Sequence, residues 1–352
     1  MRQFLRPRVL LPTLLSISLL AALFTFADIR SVGSAVMRFR PAYLLLFLAL
    51  MVVYEAVRCV QWRQLLRASG IETTARTSAF TFLVGEMAKT LPMGQYLRNY
   101  LLRQTGGANI GQSVPATLIT LLIEDAVALV GVLLLGIDGW GWLRPLIVVS
   151  ALVFAVVIFV LYRLIVTARI PRRITTAPRF RALLAELKLF KASTAMLANP
   201  RLLVTQFLLG AVYLVLGAAA LYSLLLGLGV TSVSFGQVVA ISLFSLACGL
   251  LIPIPIDIGL IELSGTTALI AVGVSHSAAV SAMLLNRVLG GAAAVLIALV
   301  TMAVLHQELR AALRGRPAGP APAQADPTAV PVYRASPSRP LVDAGESGSI
   351  AS

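Results

Sequence analysis

Residues 77–103 read TSAFTFLVGEMAKTLPMGQYLRNYLLR. The stretch is largely apolar, yet Gly85, Glu86, Lys89, Pro92, Gly94 and Arg98 interrupt it. A spanning helix needs about 20 consecutive apolar residues to cross a hydrocarbon core of about 30 Å. Neither half supplies them. Proline removes a backbone donor and clashes with the preceding turn, so the spacing predicts two short helical arms kinked near Leu91-Pro92-Met93-Gly94. Arg76 and Arg103 flank the ends and place both on the side where positive charge is retained. The segment reads as a re-entrant helical hairpin. Broken backbone is tolerated at membrane depth only where protein or a hydrated cavity satisfies it, so a surrounding bundle is implied.

That bundle is visible on both sides of the hairpin. The chain has 352 residues, 59% of them hydrophobic and only 12% charged, against about 25% charged in soluble domains. Long apolar runs at 9–27, 41–60, 114–137, 143–167, 202–228 and 278–305 predict six full spans. Residues 236–272 form a second interrupted segment, broken at Pro253-Ile254-Pro255-Ile256-Asp257-Ile258-Gly259. It reads as a hairpin or as two spans, and charge parity is the same either way. The expected fold is all-α: a polytopic membrane helical bundle of six full spans plus two broken or re-entrant helical hairpins, with eight spans as the alternative count. Residues 1–314 form the membrane domain. Residues 315–352, rich in Pro, Ala, Gly and Ser, are expected to be a disordered cytoplasmic tail. The run at 9–27 follows Arg2, Arg6 and Arg8 without a small-residue cleavage site, and is read as a retained helix.

The formal net charge is +15, and it is gathered in loops. That is the signature of topology, and it predicts a multi-pass inner (plasma) membrane protein with both termini cytoplasmic. Arg58, Arg63, Arg67 and Arg76 read as one basic cytoplasmic loop with Trp62 at its interface. Phe180, Leu183, Leu184, Leu187 and Phe190 fall at helical spacing, flanked by Arg179, Arg181, Lys188 and Lys191. They predict an amphipathic helix over about 178–198 lying on the cytoplasmic membrane surface. Nucleic-acid binding would need basic residues interleaved with stacking aromatics, and no such region occurs. Cys59 and Cys248 lie in apolar runs, and His276 and His306 are isolated. The expectation is therefore no disulfide framework, no metal site and no cofactor. No nucleotide-binding loop is present, so ATP use by this chain is not expected.

The two interrupted segments look like halves of a repeat. Pro92 and Gly94 precede Arg98, and Glu124 and Asp125 follow in the next span. Pro253, Pro255 and Gly259 precede Glu262, and Arg287 follows in the last span. Each half is a break, a charge, and an opposite charge in the next helix, with the signs exchanged. An ionised side chain at the bilayer centre costs about 2.5–3.5 kcal/mol on insertion scales, so such residues pair or face a cavity. The expected pairs are Arg98 with Glu124 or Asp125, and Glu262 with Arg287. Broken segments in matching positions point to a transport path at the midplane, and the repeat is read as inverted. The same pairs also suit a purely structural lock between helices. Glu55 with Arg58, and Glu86 with Lys89, are each three apart and read as local helix pairs. Asp257 is either a proton or cation site or a turn residue satisfying freed backbone donors.

These motifs resemble the lysylphosphatidylglycerol synthase transmembrane region, a flippase-like family of membrane proteins. Pro92 and Gly94-Gln95-Tyr96-Leu97-Arg98 are similar to a family Pro followed by Gly-Glu-x-x-Arg, with Gln95 where Glu is usual. An alternative frame places Gly85-Glu86 and Lys89 there, with Lys for Arg; the first is preferred because Pro92 and the Tyr100-Leu101-Leu102 continuation fit it. Pro253, Pro255, Gly259, Glu262 and Arg287 are similar to a later Pro-rich break, a Gly-Gly-x-Gly-x-x-Glu element and an Arg in the last helix. Asp257 stands where Gly is usual. The resemblance implies a membrane domain that moves a phospholipid or lipid-linked molecule between leaflets, without the soluble aminoacyl-transferring domain of the larger synthases.

On that basis the expected function is a flippase-like transporter and not an enzyme. Its partner would be an anionic or phosphate-bearing lipid, met by Arg98 and Arg287. One alternative is an intramembrane transferase acting on lipid, although no Asp-rich diphosphate motif or Ser nucleophile motif occurs. The other is a membrane scaffold for a cytoplasmic lipid or sugar transferase.

Overall fold

A long apolar run with few breakers becomes a long helix, and four such runs set the frame of this chain. The computed structural model describes residues 37, 39–90, 94–105, 108–135, 148–149, 152, 155–156, 159–160, 163, 181–251, 259–307 and 310. These residues form nine α-helices and no strand: α1 Ala42–Ala68, α2 Ala75–Met87, α3 Leu97–Gln104, α4 Ile110–Leu135, α5 Arg181–Leu197, α6 Pro200–Gly227, α7 Phe235–Leu251, α8 Leu260–Ala271 and α9 His276–Val304. Of the described helices, α1, α4, α6 and α9 are long and apolar enough to cross a membrane. They coincide with four of the six expected spans. The spans at 9–27 and 143–167 fall on residues outside the described set, apart from isolated positions in the second. The described residues all belong to one compact unit, Met1–Pro317. The expected tail at 315–352 lies outside them.

Local signals explain the helix ends. The Thr74 hydroxyl accepts from the Thr77 N–H at 3.1 Å and caps α2. Asn199 caps α6 from Arg201 N–H at 3.0 Å, with Pro200 at the first helical position, where its missing donor is not needed. Gly70 and Gly229, both at positive φ, stop α1 and α6 in the same way. In each case the glycine N–H bonds back three residues and the next N–H bonds back five, to Leu66 from Ile71 and to Leu225 from Val230. This closure needs the left-handed conformation that glycine adopts without penalty.

Helix α1 runs antiparallel to α6 along its whole length. The Arg40 N–H donates to Gly227 O at 3.0 Å. Phe47 and Ala220 share a buried cluster. The rings of Tyr54 and Tyr213 meet edge-on at 5.6 Å, and Gln61 Nε2 donates to Gln206 O at 3.2 Å. Contacts recur every seven residues on both helices, the spacing of a two-helix seam. Around this pair, α2 packs on α9 and α7 packs on α4.

Both interrupted segments fold back on themselves. Helices α2 and α3 pack together, as do α7 and α8. At about 1.5 Å per residue, none of the four arms reaches the roughly 30 Å of a hydrocarbon core. The first hairpin closes at a glycine, and the second brings Gly249 to ordinary contact distance of its other arm. A Cβ on Gly85 would lie 2.7 Å from Arg98 Cβ, and one on Gly249 would lie 3.4 Å from Ile261 Cγ1. Gly94 brings its backbone so close to Ala88 O that a Cβ would not fit between them. The expected breaks at Pro92, Pro253, Pro255 and Asp257 lie outside the described residues.

Two sequence expectations need correction. Helix α1 does not stop near Val60 but continues to Ala68, so Arg58, Arg63 and Arg67 are helical and not a loop. Trp62 is fully buried, not interfacial. The reason is shared: this end of α1 packs with Phe82, Leu102, Ala116 and Leu197 in one buried cluster. Helix α5 forms within the expected amphipathic stretch, but its inward face carries Leu184, Ser193 and Leu197, while Leu187 is exposed. It packs on the start of α4, where Glu186 Oε2 accepts the Gly111 N–H at 2.5 Å.

Candidate functional site: two charge clusters carried by the hairpins

Among the described residues, Arg58 and Arg98 are the most deeply buried cations, each 2% exposed. Helix α1 presents Arg58 in mid-seam, and α3 presents Arg98 where it meets Gly85 of α2. Both are enclosed by aromatic rings. The Arg58 guanidinium lies 5.3 Å from the Tyr54 ring centre, 5.6 Å from Phe82 and 5.5 Å from Tyr213. Arg98 stacks 4.5 Å over Trp62 and 5.7 Å from Phe82. Phe82 is shared by both cations. Cation–π contacts of this kind contribute about 0.5–2 kcal/mol each and hold the two guanidiniums in fixed places.

Carboxylates balance them. Arg58 Nη1 donates to Glu86 Oε2 at 2.5 Å, and Glu86 Oε1 lies 3.7 Å from Arg98 Nη1. Glu86 therefore bridges the two arginines. Glu55 Oε2 is 3.9 Å from Arg58 Nη1, and Glu124 Oε2 is 4.0 Å from Arg58 Nη2. Lys89 Nζ lies 4.0 Å from Glu124 Oε1 and is 38% exposed. Arg98 Nε also donates to Thr117 Oγ1 at 3.2 Å, and Asn99 and Thr117 exchange hydrogen bonds beside it. Three cations thus face three carboxylates within one knot made by α1, α2, α3 and α4. Charges withdrawn from water survive only when compensated in this way.

The arrangement corrects the expected pairing. Arg98 was expected to meet Glu124 or Asp125, but its ion-pair partner is Glu86. Glu124 instead faces Arg58 and Lys89. Asp125, half-buried, follows Glu124 by one residue and so points about 100° further round α4. Glu86 was expected to pair locally with Lys89, yet it reaches Arg58, 28 positions away. A three-residue spacing permits a local pair without requiring it, and the fold offers Glu86 two buried guanidiniums. Arg58, Tyr54, Phe82 and Tyr213 were missed as site residues. The signal for Arg58 was its position on an apolar helix face with Glu55 one turn before it.

The second cluster is smaller and more open. Gly259, at φ +98°, begins α8, and its N–H donates to Glu262 Oε2 at 2.6 Å. Glu262 Oε1 lies 3.5 Å from Arg287 Nε on α9. Glu262 is buried, whereas Arg287 is 38% exposed. The carboxylate fixes the start of the helix arm and the guanidinium at once. Gly265, on the next turn, lets α8 approach Met283 of α9 and Ser245 of α7. Asp257 lies outside the described residues, so its place relative to this pair is not described.

Among the described residues, no three His, Cys, Asp or Glu side chains are placed to hold a metal ion. Cys59 and Cys248 are free thiols. Chemically, the first cluster is a nearly closed, compensated charge knot with Lys89 at its edge. The second presents one partly open guanidinium.

No curated protein matches the chain. The family model of the lysylphosphatidylglycerol synthase transmembrane region matches residues 9–308, a stretch that contains both hairpins, all nine helices and every charged residue of the two clusters. This chain is a member of the lysylphosphatidylglycerol synthase transmembrane-region family.

Proposed function

We propose that the protein is a flippase-like transporter that moves a phosphate-bearing lipid between leaflets, and that it acts without catalysing a chemical change in that lipid. One observation carries the reading: two folded-back hairpins each bring a charge pair into an otherwise apolar helical bundle. Ionised groups inside a bundle mark a polar path or a lock between helices. The half-exposed Lys89 and Arg287 favour the path, because a lock would need neither to be open. They replace Arg98 as the cations offered to a head group, since Arg98 is enclosed by Trp62, Phe82, Glu86 and Thr117. A guanidinium or ammonium is suited to a phosphate oxygen.

The proposal includes an inverted repeat, with α1–α4 related to α6–α9. Supporting it are the antiparallel seam of α1 on α6, the glycine closures at Gly70 and Gly229, and the reciprocal packing of α2 on α9 and α7 on α4. Two inverted halves around a common seam allow one to rock against the other, as alternating access requires. Residence in a cell's inner membrane with both termini cytoplasmic is part of the same reading, supported by the loop arginines.

The test is reconstitution of the full chain into liposomes carrying fluorescent phosphatidylglycerol, with leaflet exchange followed by dithionite quenching. Exchange faster than in protein-free vesicles is expected, slowed by Arg287→Met and by Lys89→Met. If no anionic or zwitterionic phospholipid moves faster than in the protein-free control, the transport reading fails.

A further inference from the structure

Three carboxylates share the first cluster, and they are not equally served. Glu86 has both buried arginines, one at 2.5 Å. Glu124 has Arg58 and Lys89, each at 4.0 Å. Glu55 has Arg58 alone, at 3.9 Å, and that guanidinium is already committed to Glu86. Glu55 is 4% exposed, and its Oε2 accepts no hydrogen bond. Other polar atoms around it also lack hydrogen-bond partners: Arg58 Nε, Arg98 Nη1, Glu124 Oε2 and Tyr213 OH. A buried carboxylate with an oxygen that no donor serves is costly to ionise, and such a group takes up a proton when its remaining compensation is withdrawn.

The charge count adds a condition. With Lys89 beside Glu124, three cations face three carboxylates. Lys89 is the one half-exposed member, and it is the ammonium offered to a head group. When its charge is taken by a phosphate, two arginines remain against three carboxylates. One proton restores neutrality; Glu55 and Glu124 are then each left with Arg58 alone, and Glu55, the more deeply buried of the two, receives it.

We infer that Glu55 is a proton-binding site, filled when an anionic head group engages Lys89. This rests on the lipid-transport reading of the same cluster and gives it a coupling ion. The proton adds to a Glu55 carboxylate oxygen from water and returns to water when the head group leaves, so no other bond changes. The groups that set its affinity come from every neighbouring element. Helix α1 supplies Tyr54, Arg58 and Cys59. Glu86 and Lys89 come from α2 and the turn after it, Arg98 from α3, Glu124 from α4, and Tyr213 from α6. Arg58, Glu86, Lys89 and Glu124 all act on Glu55 electrostatically. Helix α9 meets α1 nearer its start, where Leu285 and Leu289 join the Phe47 cluster, so Arg287 is not a neighbour. Helix α5 meets the other end of α1 through Leu197.

The experiment uses the purified full chain in weakly buffered detergent near neutral pH with a soluble pH indicator. Short-chain phosphatidylglycerol is the probe, and its binding is followed separately by tryptophan fluorescence. Binding is expected to draw about one proton per chain from solution. Glu55→Gln should bind the lipid without proton uptake, and Glu55→Asp, which keeps the titratable group, should restore it. Lipid binding without proton uptake in the unaltered chain, or equal uptake by Glu55→Gln, overturns the inference. If the lipid does not bind at all, the transport reading has failed, and the infrared band of protonated carboxyl groups then decides the proton site alone. A band that appears as pH falls and is missing in Glu55→Gln retains it. A band that is absent, or unchanged by that substitution, removes it.

Discussion

Replacing Glu86 by glutamine should destabilise the protein more than any other conservative change in the first cluster. The carboxylate accepts from Arg58 at 2.5 Å and lies 3.7 Å from Arg98. Neither arginine can turn away to water, because Tyr54, Phe82, Tyr213 and Trp62 surround them. Removing one partner of a buried ion pair costs about 3–5 kcal/mol, since the other charge stays buried. Here two guanidiniums lose one carboxylate, and Glu124 at 4.0 Å from Arg58 offsets only part of that loss. The expected change is therefore about 3–5 kcal/mol, read from equilibrium unfolding in mixed micelles titrated with sodium dodecyl sulfate. Combining Glu86→Gln with Arg58→Met removes the stranded charge, so the double variant should lose less than the two single losses together, by about 0.5–3 kcal/mol. A loss within about 0.5 kcal/mol for Glu86→Gln, the range of ordinary surface changes, would refute the compensated knot. So would simple additivity in the cycle.

Other positions give independent checks. Gly85→Ala, which in an exposed helix would gain about 1 kcal/mol, should instead lose about 1–3 kcal/mol by overpacking, because the new Cβ would meet Arg98 Cβ at 2.7 Å; the same unfolding titration reads the sign. Glu262→Ala should cost about 1–2 kcal/mol through loss of the Gly259 cap, and should speed hydrogen exchange in the first turn of α8. Glu186→Gln weakens the charge-assisted bond to the Gly111 N–H, and limited proteolysis should then cut more readily around α5. An unchanged cleavage rate would mean that the apolar face of α5 alone holds it to α4.

The fold was largely legible because lipid-length apolar runs and their breakers are local signals. Gly94 and Gly259 marked where arms turn, and Arg287 with Glu262 followed from charge alone: two isolated opposite charges on neighbouring helices have few other partners. The first cluster was legible only in part. Arg98 and Glu124 stood out as intramembrane charges, but the sequence offers three cations and four acids there, and spacing does not choose among them. The choice is made by the α1–α6 seam, which brings Tyr213 against Tyr54 and gives Arg58 an aromatic enclosure. Arg58 then attracts Glu86, and Arg98 follows Glu86. That seam repeats every seven residues, through Arg40, Phe47, Tyr54 and Gln61. These residues differ so much in chemistry that no hydrophobic pattern reveals it.

The two charge clusters differ in openness, and under the proposed transport reading that difference bears on how the bundle would work. In the first cluster both arginines, Arg58 and Arg98, are stacked and paired with carboxylates, and Lys89 reaches the edge. In the second, one glutamate serves both as helix cap and as the counter-ion of a half-exposed arginine. The proposed rocking motion would have to break some contacts and spare others. The cluster around Glu86 binds α1, α2, α3 and α4 through charges that are too costly to separate, so those helices are constrained to move together. The Glu262–Arg287 contact, at 3.5 Å and open on one side, is far cheaper to exchange for a phosphate oxygen.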